Sequence, residues 1–226
     1  MPRRTWSSRL LDVSAKVVPG IGRVRAQKEP FARAWASGNR VALESGLPLW
    51  VALGDSMTQG IGARDVDGGW VPRLNARLGE PFAVVNLSAS GARVQDVLDD
   101  QLPRLPATPA LVTVLVGAND MLTRGRRRDV PARFEALLDR LPPGRSVVAT
   151  LPQGNPQALA VNALIDRAGA AGRIDVADLR GPALGPLRGS LADDWFHPND
   201  VGYERMAGLF EAPVRACLAR YPGSRS

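Results

Sequence analysis

Cysteine and histidine each occur once in this 226-residue chain, and both scarcities exclude chemistry. A lone Cys217 has no partner within the chain for a disulfide, a zinc ribbon or a Cys-x-x-Cys redox pair. A lone His197 excludes any site that needs two imidazoles, so an imidazole general base must be His197 itself. Long hydrophobic runs are also missing, since no window approaches the roughly 18 uninterrupted apolar residues of a membrane span. The stretch Leu10 to Val18 follows Arg3, Arg4 and Arg9 as a secretory leader would, but Asp12 and Lys16 interrupt it. A cytoplasmic location is therefore expected. Lysine is confined to Lys16 and Lys28, and the resulting arginine bias carries no functional weight. What remains is ordinary for a globular chain, with 45% hydrophobic and 23% charged residues, which excludes bulk disorder. At about 150 residues per domain, the length indicates one domain with an appendage.

The net charge of +7 is unevenly placed. Residues 1–45 hold nine Lys or Arg against three Asp or Glu, whereas 46–226 hold twenty against nineteen. The division expected is thus a basic arm over 1–45 and a near-neutral body over 46–226. Such an arm suits peripheral contact with an anionic membrane, while no DNA- or RNA-binding motif accompanies it to support nucleic acid as a partner. Trp6, Leu10, Val13 and Val17 recur at helical spacing, so 5–18 reads as an amphipathic helix ended by Pro19 and Gly20. Docking on the body and lying on a membrane surface both fit its apolar stripe. A second, short helix is expected near Phe31 to Ser37, with Phe31 and Trp35 one turn apart.

From Leu49 onward, short runs rich in Val, Leu and Ala alternate with amphipathic segments at βα spacing. Strands are expected at 49–53, 82–87, 110–116, 145–150 and 173–177. Helices are expected near 69–79, 94–102, 130–141, 156–170 and 199–219. Runs as continuously apolar as Leu111 to Val116 require a parallel sheet covered on both faces, hence an α/β three-layer sandwich.

In such sheets ligands bind beyond the carboxyl ends of the strands. Four segments there carry polar chemistry: Gly54-Asp55-Ser56-Met57, the stretch through Gly91, Gly117-Ala118-Asn119-Asp120, and Asp194-Trp195-Phe196-His197. Taken singly, each also reads as a cap or turn. Asp193, Asp194, His197 and Asp200 could also be read as metal ligands, but a single imidazole without a second cluster argues against that. Together the segments meet the needs of ester hydrolysis: a hydroxyl nucleophile, an imidazole base, a carboxylate to orient it, and donors for an oxyanion. Ser56 sits at a strand-to-helix turn, where its own backbone N–H can serve as one donor. Gly91 lets a second N–H approach with no Cβ in the way. Asn119 offers an amide donor, and Asp194 lies close enough in sequence to fix one tautomer of His197.

These segments resemble those of the SGNH hydrolases, the GDSL esterase and lipase family, with Met57 in place of the Leu that gives the family its name. The resemblance covers roughly residues 48–215 and leaves the basic arm outside. It implies a five-stranded flavodoxin-like sheet, a Ser56-His197-Asp194 triad, and an oxyanion hole from the N–H groups of Ser56 and Gly91 and the Asn119 amide. It implies no cofactor and no metal. The family spans carboxylesterases, thioesterases, lysophospholipases, arylesterases and carbohydrate deacetylases, so the acyl and alcohol groups stay open. Met57, Leu122, Trp195 and Phe196 are candidates for an apolar acyl wall, and Arg93 with the Arg124 to Arg128 cluster for attracting an anionic leaving group. A small-to-medium acyl ester is the substrate expected. A non-catalytic, membrane-peripheral protein on an inactive hydrolase body is the contrasting expectation.

Overall fold

The computed structural model describes residues 19–79, 82–122, 127–186 and 188–220. Two helices come first, α1 (Pro19–Ala26) and α2 (Lys28–Glu44), followed by β1 (Leu49–Gly54), α3 (Ser56–Gln59) and α4 (Trp70–Leu78). The chain continues through β2 (Ala83–Asn86), α5 (Val94–Asp96), β3 (Leu111–Leu115), α6 (Ala118–Met121) and α7 (Val130–Arg140). It ends with β4 (Ser146–Ala149), α8 (Pro156–Ala170), β5 (Asp175–Ala177) and α9 (Asp200–Ala219).

The five strands form one parallel sheet in the order β2-β1-β3-β4-β5. Alternate side chains point to opposite faces. In β1, Trp50 and Ala52 join the core under α4 and α9, while Val51 and Leu53 join the one under α5, α7 and α8. All residues of β3 and β4 are buried, which is why their sequences lack polar alternation. The order reverses between β1 and β3: the chain runs outward to β2, then returns across β1 to β3. That reversal opens a crevice at the strand ends, and the loops after β1, β2 and β3 all meet there.

Three expectations change in detail. The segment read as one helix over 94–102 is α5, then a π-helical turn over Val97–Gln101, then a 3-10 turn over Leu102–Arg104. The wider turn carries Gln101 inward, where its amide donates to the Gly54 carbonyl (2.8 Å) and accepts from the Gly54 N–H (2.9 Å). Pro103, which lacks an N–H, suits the tightened exit. The short helix placed near Phe31 to Ser37 is the middle of the 17-residue α2. Beyond the expected end, Asn39 is held by tertiary bonds: its amide pairs with both the N–H and the C=O of Asn86 at 2.8 Å, covering the edge of β2 as another strand would. Finally, a helix not expected from the sequence begins at Pro19 and Gly20, which open α1, since proline is pre-set for a first helical turn. A Cβ on Gly20 would lie 2.5 Å from Asp193 Cβ, so close packing accounts for the glycine. The helix expected over 5–18 lies outside the described residues.

Residues 19–44 touch the body at several points. Gln27 donates to the Ala63 carbonyl and accepts from the Gly62 N–H, and Trp35 donates to the Gln59 carbonyl. Arg23 pairs with Asp193 at 2.6 Å, at the surface. No helix among the described residues is long and apolar enough to cross a membrane.

Candidate active site

Ser56 is the first residue of α3, immediately after β1 runs out at Gly54. The turn is tight enough that a Cβ on Gly54 would meet the Leu115 carbonyl at 2.2 Å and Thr58 Oγ1 at 2.3 Å. Asp55 caps α3 by accepting from the Met57 N–H at 2.9 Å, which leaves the Ser56 side chain free of cap duty. At the other end of the sequence, Asn199 caps α9 by accepting from the N–H groups of Val201 and Gly202. Asn199, not His197, therefore supplies the cap.

His197 joins these distant segments. Its Nε2 lies 2.9 Å from Ser56 Oγ and its Nδ1 lies 2.5 Å from Asp194 Oδ2. The other carboxylate oxygen, Oδ1, accepts from the N–H groups of Phe196 (3.1 Å) and His197 (3.0 Å), so one side chain folds the loop and faces the ring. Burial alone would raise the Asp194 pKa, but the His197 ring and these backbone donors outweigh it and hold the carboxyl below its ordinary value. Ser56 and His197 are only 4% and 8% exposed, which restricts competing water. Phe196 meets the imidazole edge-on at 4.9 Å.

On the far side of Ser56, Asn119 donates to the Ala92 carbonyl at 2.9 Å, tying the loop after β3 to the loop that contains Gly91. Its amide also stands 3.5 Å from Asp55 Oδ2, at the limit of a hydrogen bond. Gly91 adopts φ 85°, and a Cβ there would meet nothing within 4 Å. The glycine is thus required by its left-handed backbone, not by lack of room. Asp120 accepts from the Val94 N–H and is structural in its contacts.

Asp55 and Asp120 form a buried carboxyl pair. Burial, reinforced by the charge of Asp120, pushes Asp55 up to about 7 although the Met57 N–H opposes the shift. A raised acid pKa means that the folded chain holds this proton where the unfolded chain, near 3.8, has lost it. Stability from this group is fully present below about 4 and declines as pH rises to about 7, by at most about 4 kcal/mol. Asp55→Asn is therefore expected to flatten the fall in stability between about pH 4 and 7, measured by chemical denaturation; an unchanged slope would assign it elsewhere.

An apolar cavity of about 340 Å³ lies at the strand ends on the β4 and β5 side, lined by chain neighbours of the triad and not by Ser56, Asp194 or His197 themselves. Asp55 and Met57, the neighbours of Ser56, line it, as do Phe196 and Pro198, the neighbours of His197. Leu115, Leu151, Leu179 and Leu191 form much of the remainder. Of the four acyl-wall candidates, Met57, Trp195 and Phe196 line this cavity; Leu122 is exposed and does not. Arg93 pairs with Asp96 at 3.6 Å, and Arg127 donates to the Met121 carbonyl; Arg124 to Arg126 lie outside the described residues. The side chains weighed as metal ligands go to separate partners, Asp193 to Arg23, Asp194 to His197, and Asp200 to Arg73.

Several supporting residues escaped the sequence reading. Gln101 clamps Gly54, Gln59 accepts from Ser90 Oγ at 2.6 Å, and Asn86 donates to the Thr58 carbonyl at 2.9 Å. Each joins segments far apart in sequence and has no motif of its own, so nothing local marked it.

With this geometry in place, the profile of the GDSL-like Lipase/Acylhydrolase family matches residues 52–205. No curated protein sequence matches significantly. Among solved structures, the chain is similar to TesA, with a TM-score of 0.58 and 22% identity over 75% of this chain and 99% of that one. It is similar to the Clostridium thermocellum family 3 carbohydrate esterase (0.61, 17% identity, 77% and 98% covered). It is also similar to the psychrotrophic esterase EstA from a Pseudoalteromonas species (0.58, 17% identity, 76% and 98% covered). These likenesses establish a shared fold.

Proposed function

The chain belongs to the GDSL-like lipase/acylhydrolase family, and from that premise we propose that it hydrolyses small-to-medium acyl esters through Ser56, His197 and Asp194. The observation that carries this reading is the unbroken chain of contacts from Ser56 Oγ through both ring nitrogens of His197 to Asp194, at 2.9 and 2.5 Å. We place the reaction in residues 46–226, with 1–45 as an addition to that domain.

In the proposed reaction Ser56 Oγ attacks the ester carbonyl carbon while its proton passes to His197 Nε2. The carbonyl π bond opens, and the oxyanion is met by the N–H groups of Ser56 and Gly91 and by the Asn119 amide. Collapse of this intermediate breaks the bond to the alcohol, which leaves with the proton held by His197. Water then attacks the acyl-serine under the same base, releasing the acid and restoring the Ser56 hydroxyl. Asp194 stays ionised throughout and stabilises the imidazolium that forms.

Purified enzyme is expected to hydrolyse p-nitrophenyl esters. Asn119→Ala should lower kcat by roughly 10²–10³-fold with KM little changed, because its donor engages charge that exists only in the transition state. An equal loss through KM alone would make Asn119 a binding group instead. Comparing oxygen esters with thioesters, lysophospholipids and acetylated sugars in the same assay assigns the leaving group.

A further inference from the structure

Between Asp194 and His197 the backbone does something costly. Trp195 has φ 56°, and among the described residues it is the only non-glycine in the left-handed region. Glycine or asparagine takes that conformation readily, whereas a bulky aromatic is strained by it. The turn itself does not require an indole: its bonds are the Asp194 carboxylate to the N–H groups of Phe196 and His197, and the Trp195 N–H to the Ala192 carbonyl. The protein core does not require one either, since Trp195 is 80% exposed, more than any other large apolar side chain described. Among the described residues its ring stacks on no other aromatic, the ring pairs being Trp50–Trp70, Trp70–Phe210 and Phe196–His197. What the residue does border is the apolar cavity whose lining includes Met57, next in the chain to Ser56, and Phe196 and Pro198, which flank His197.

We propose that Trp195 determines chain-length specificity: its indole forms the outer wall of the cavity and covers an alkyl chain of the ester bound there. This rests on the reading of Ser56, His197 and Asp194 as an ester-hydrolysing triad. The cavity's volume, about 340 Å³, lies within the range of about 300–1,000 Å³ typical of small-molecule sites. Its leucines and methionines, with Phe196, offer an alkyl chain dispersion contacts and few polar partners. An indole that is mostly exposed becomes buried when such a chain occupies the space beneath it, so the backbone strain is maintained for a contact made with substrate. The chain can belong to the acid or to the alcohol half of the ester; both present the same chemistry to this wall.

The test compares the wild type with Trp195→Gly, Trp195→Asn and Trp195→Phe. The acid arm uses p-nitrophenyl acetate and p-nitrophenyl octanoate; the alcohol arm uses ethyl acetate and octyl acetate. In one arm the wild type should favour the longer chain, and both Trp195→Gly and Trp195→Asn should reduce the long-to-short ratio of kcat/KM about tenfold or more, chiefly through KM. Trp195→Phe should restore most of the ratio. Glycine and asparagine suit the backbone angle, so both variants should fold with an unchanged or raised Tm. Ratios that match the wild type in both arms would overturn the proposal. A second readout does not depend on turnover: octanoate, or octanol, should raise the Tm of the wild type and not that of Trp195→Gly. Equal shifts in the two proteins, or none in the wild type, would overturn it as well. Absence of ester hydrolysis alongside a Trp195-dependent Tm shift would remove the triad reading and leave the alkyl site standing.

Discussion

Ser56→Ala is expected to reduce ester turnover by roughly 10⁴–10⁶-fold while leaving the protein folded, as judged by steady-state kinetics and thermal denaturation. Among the described residues the hydrogen-bond partner of Ser56 Oγ is His197 Nε2 at 2.9 Å, and Ser56 has no part in capping α3, which Asp55 does. Removing it deletes the attacking atom without loosening the turn. The folding cost is that of one buried hydrogen bond, about 1 kcal/mol. Any rate above water that survives would come from the oxyanion donors and substrate positioning, which the substitution leaves in place. A variant with wild-type turnover would mean that Ser56 is a bystander.

Asp194→Asn should cost about 10³–10⁴-fold in kcat, and the geometry says why. Oδ1 accepts from two backbone N–H groups, so the amide oxygen of an asparagine must remain there. Its NH₂ then takes the position of Oδ2 and donates to His197 Nδ1, 2.5 Å away in the parent chain. A nitrogen that accepts cannot carry the proton, so the ring is forced into the tautomer with hydrogen on Nε2. That N–H faces Ser56 Oγ and donates to it, when catalysis requires Nε2 to take the serine proton. Because the loop bonds survive, stability should change by only about 1 kcal/mol. Full activity in Asp194→Asn would show that the carboxylate neither fixes the tautomer nor supports the imidazolium.

How far these features could be read from the sequence depended on whether their cause was local. The run Leu111 to Val116 announced a buried strand because a sheet covered on both faces favours near-continuous apolar residues. The meeting of Ser56, His197 and Asp194 could be anticipated because strand-end position and the three-residue spacing of Asp194 and His197 are local features. The reach of α2 through Gly38 and Asn39 could not, since what holds Asn39 is the backbone of Asn86, 47 positions away. The same holds for Gln101, whose partner is Gly54 and whose inward turn depends on the π-helical stretch. Gly91 was singled out for the approach of its N–H to an oxyanion, and its left-handed backbone angle is a further requirement that the letters did not show. Leu122 was a candidate for the acyl wall by proximity in sequence to Asn119, and the course of α6 turns it to solvent. The strain at Trp195 has no sequence signature at all, for nothing in the letters shows a left-handed φ.

The central claim is that Ser56 is a nucleophile activated by His197 and Asp194, and a covalent trap tests it most directly. After exposure to a fluorophosphonate, the intact mass of the wild-type protein should rise by one phosphonyl group, peptide mapping should place that group on Ser56, and Ser56→Ala should take up none. Modification at any other residue, or an unmodified Ser56 in folded protein, would contradict the account.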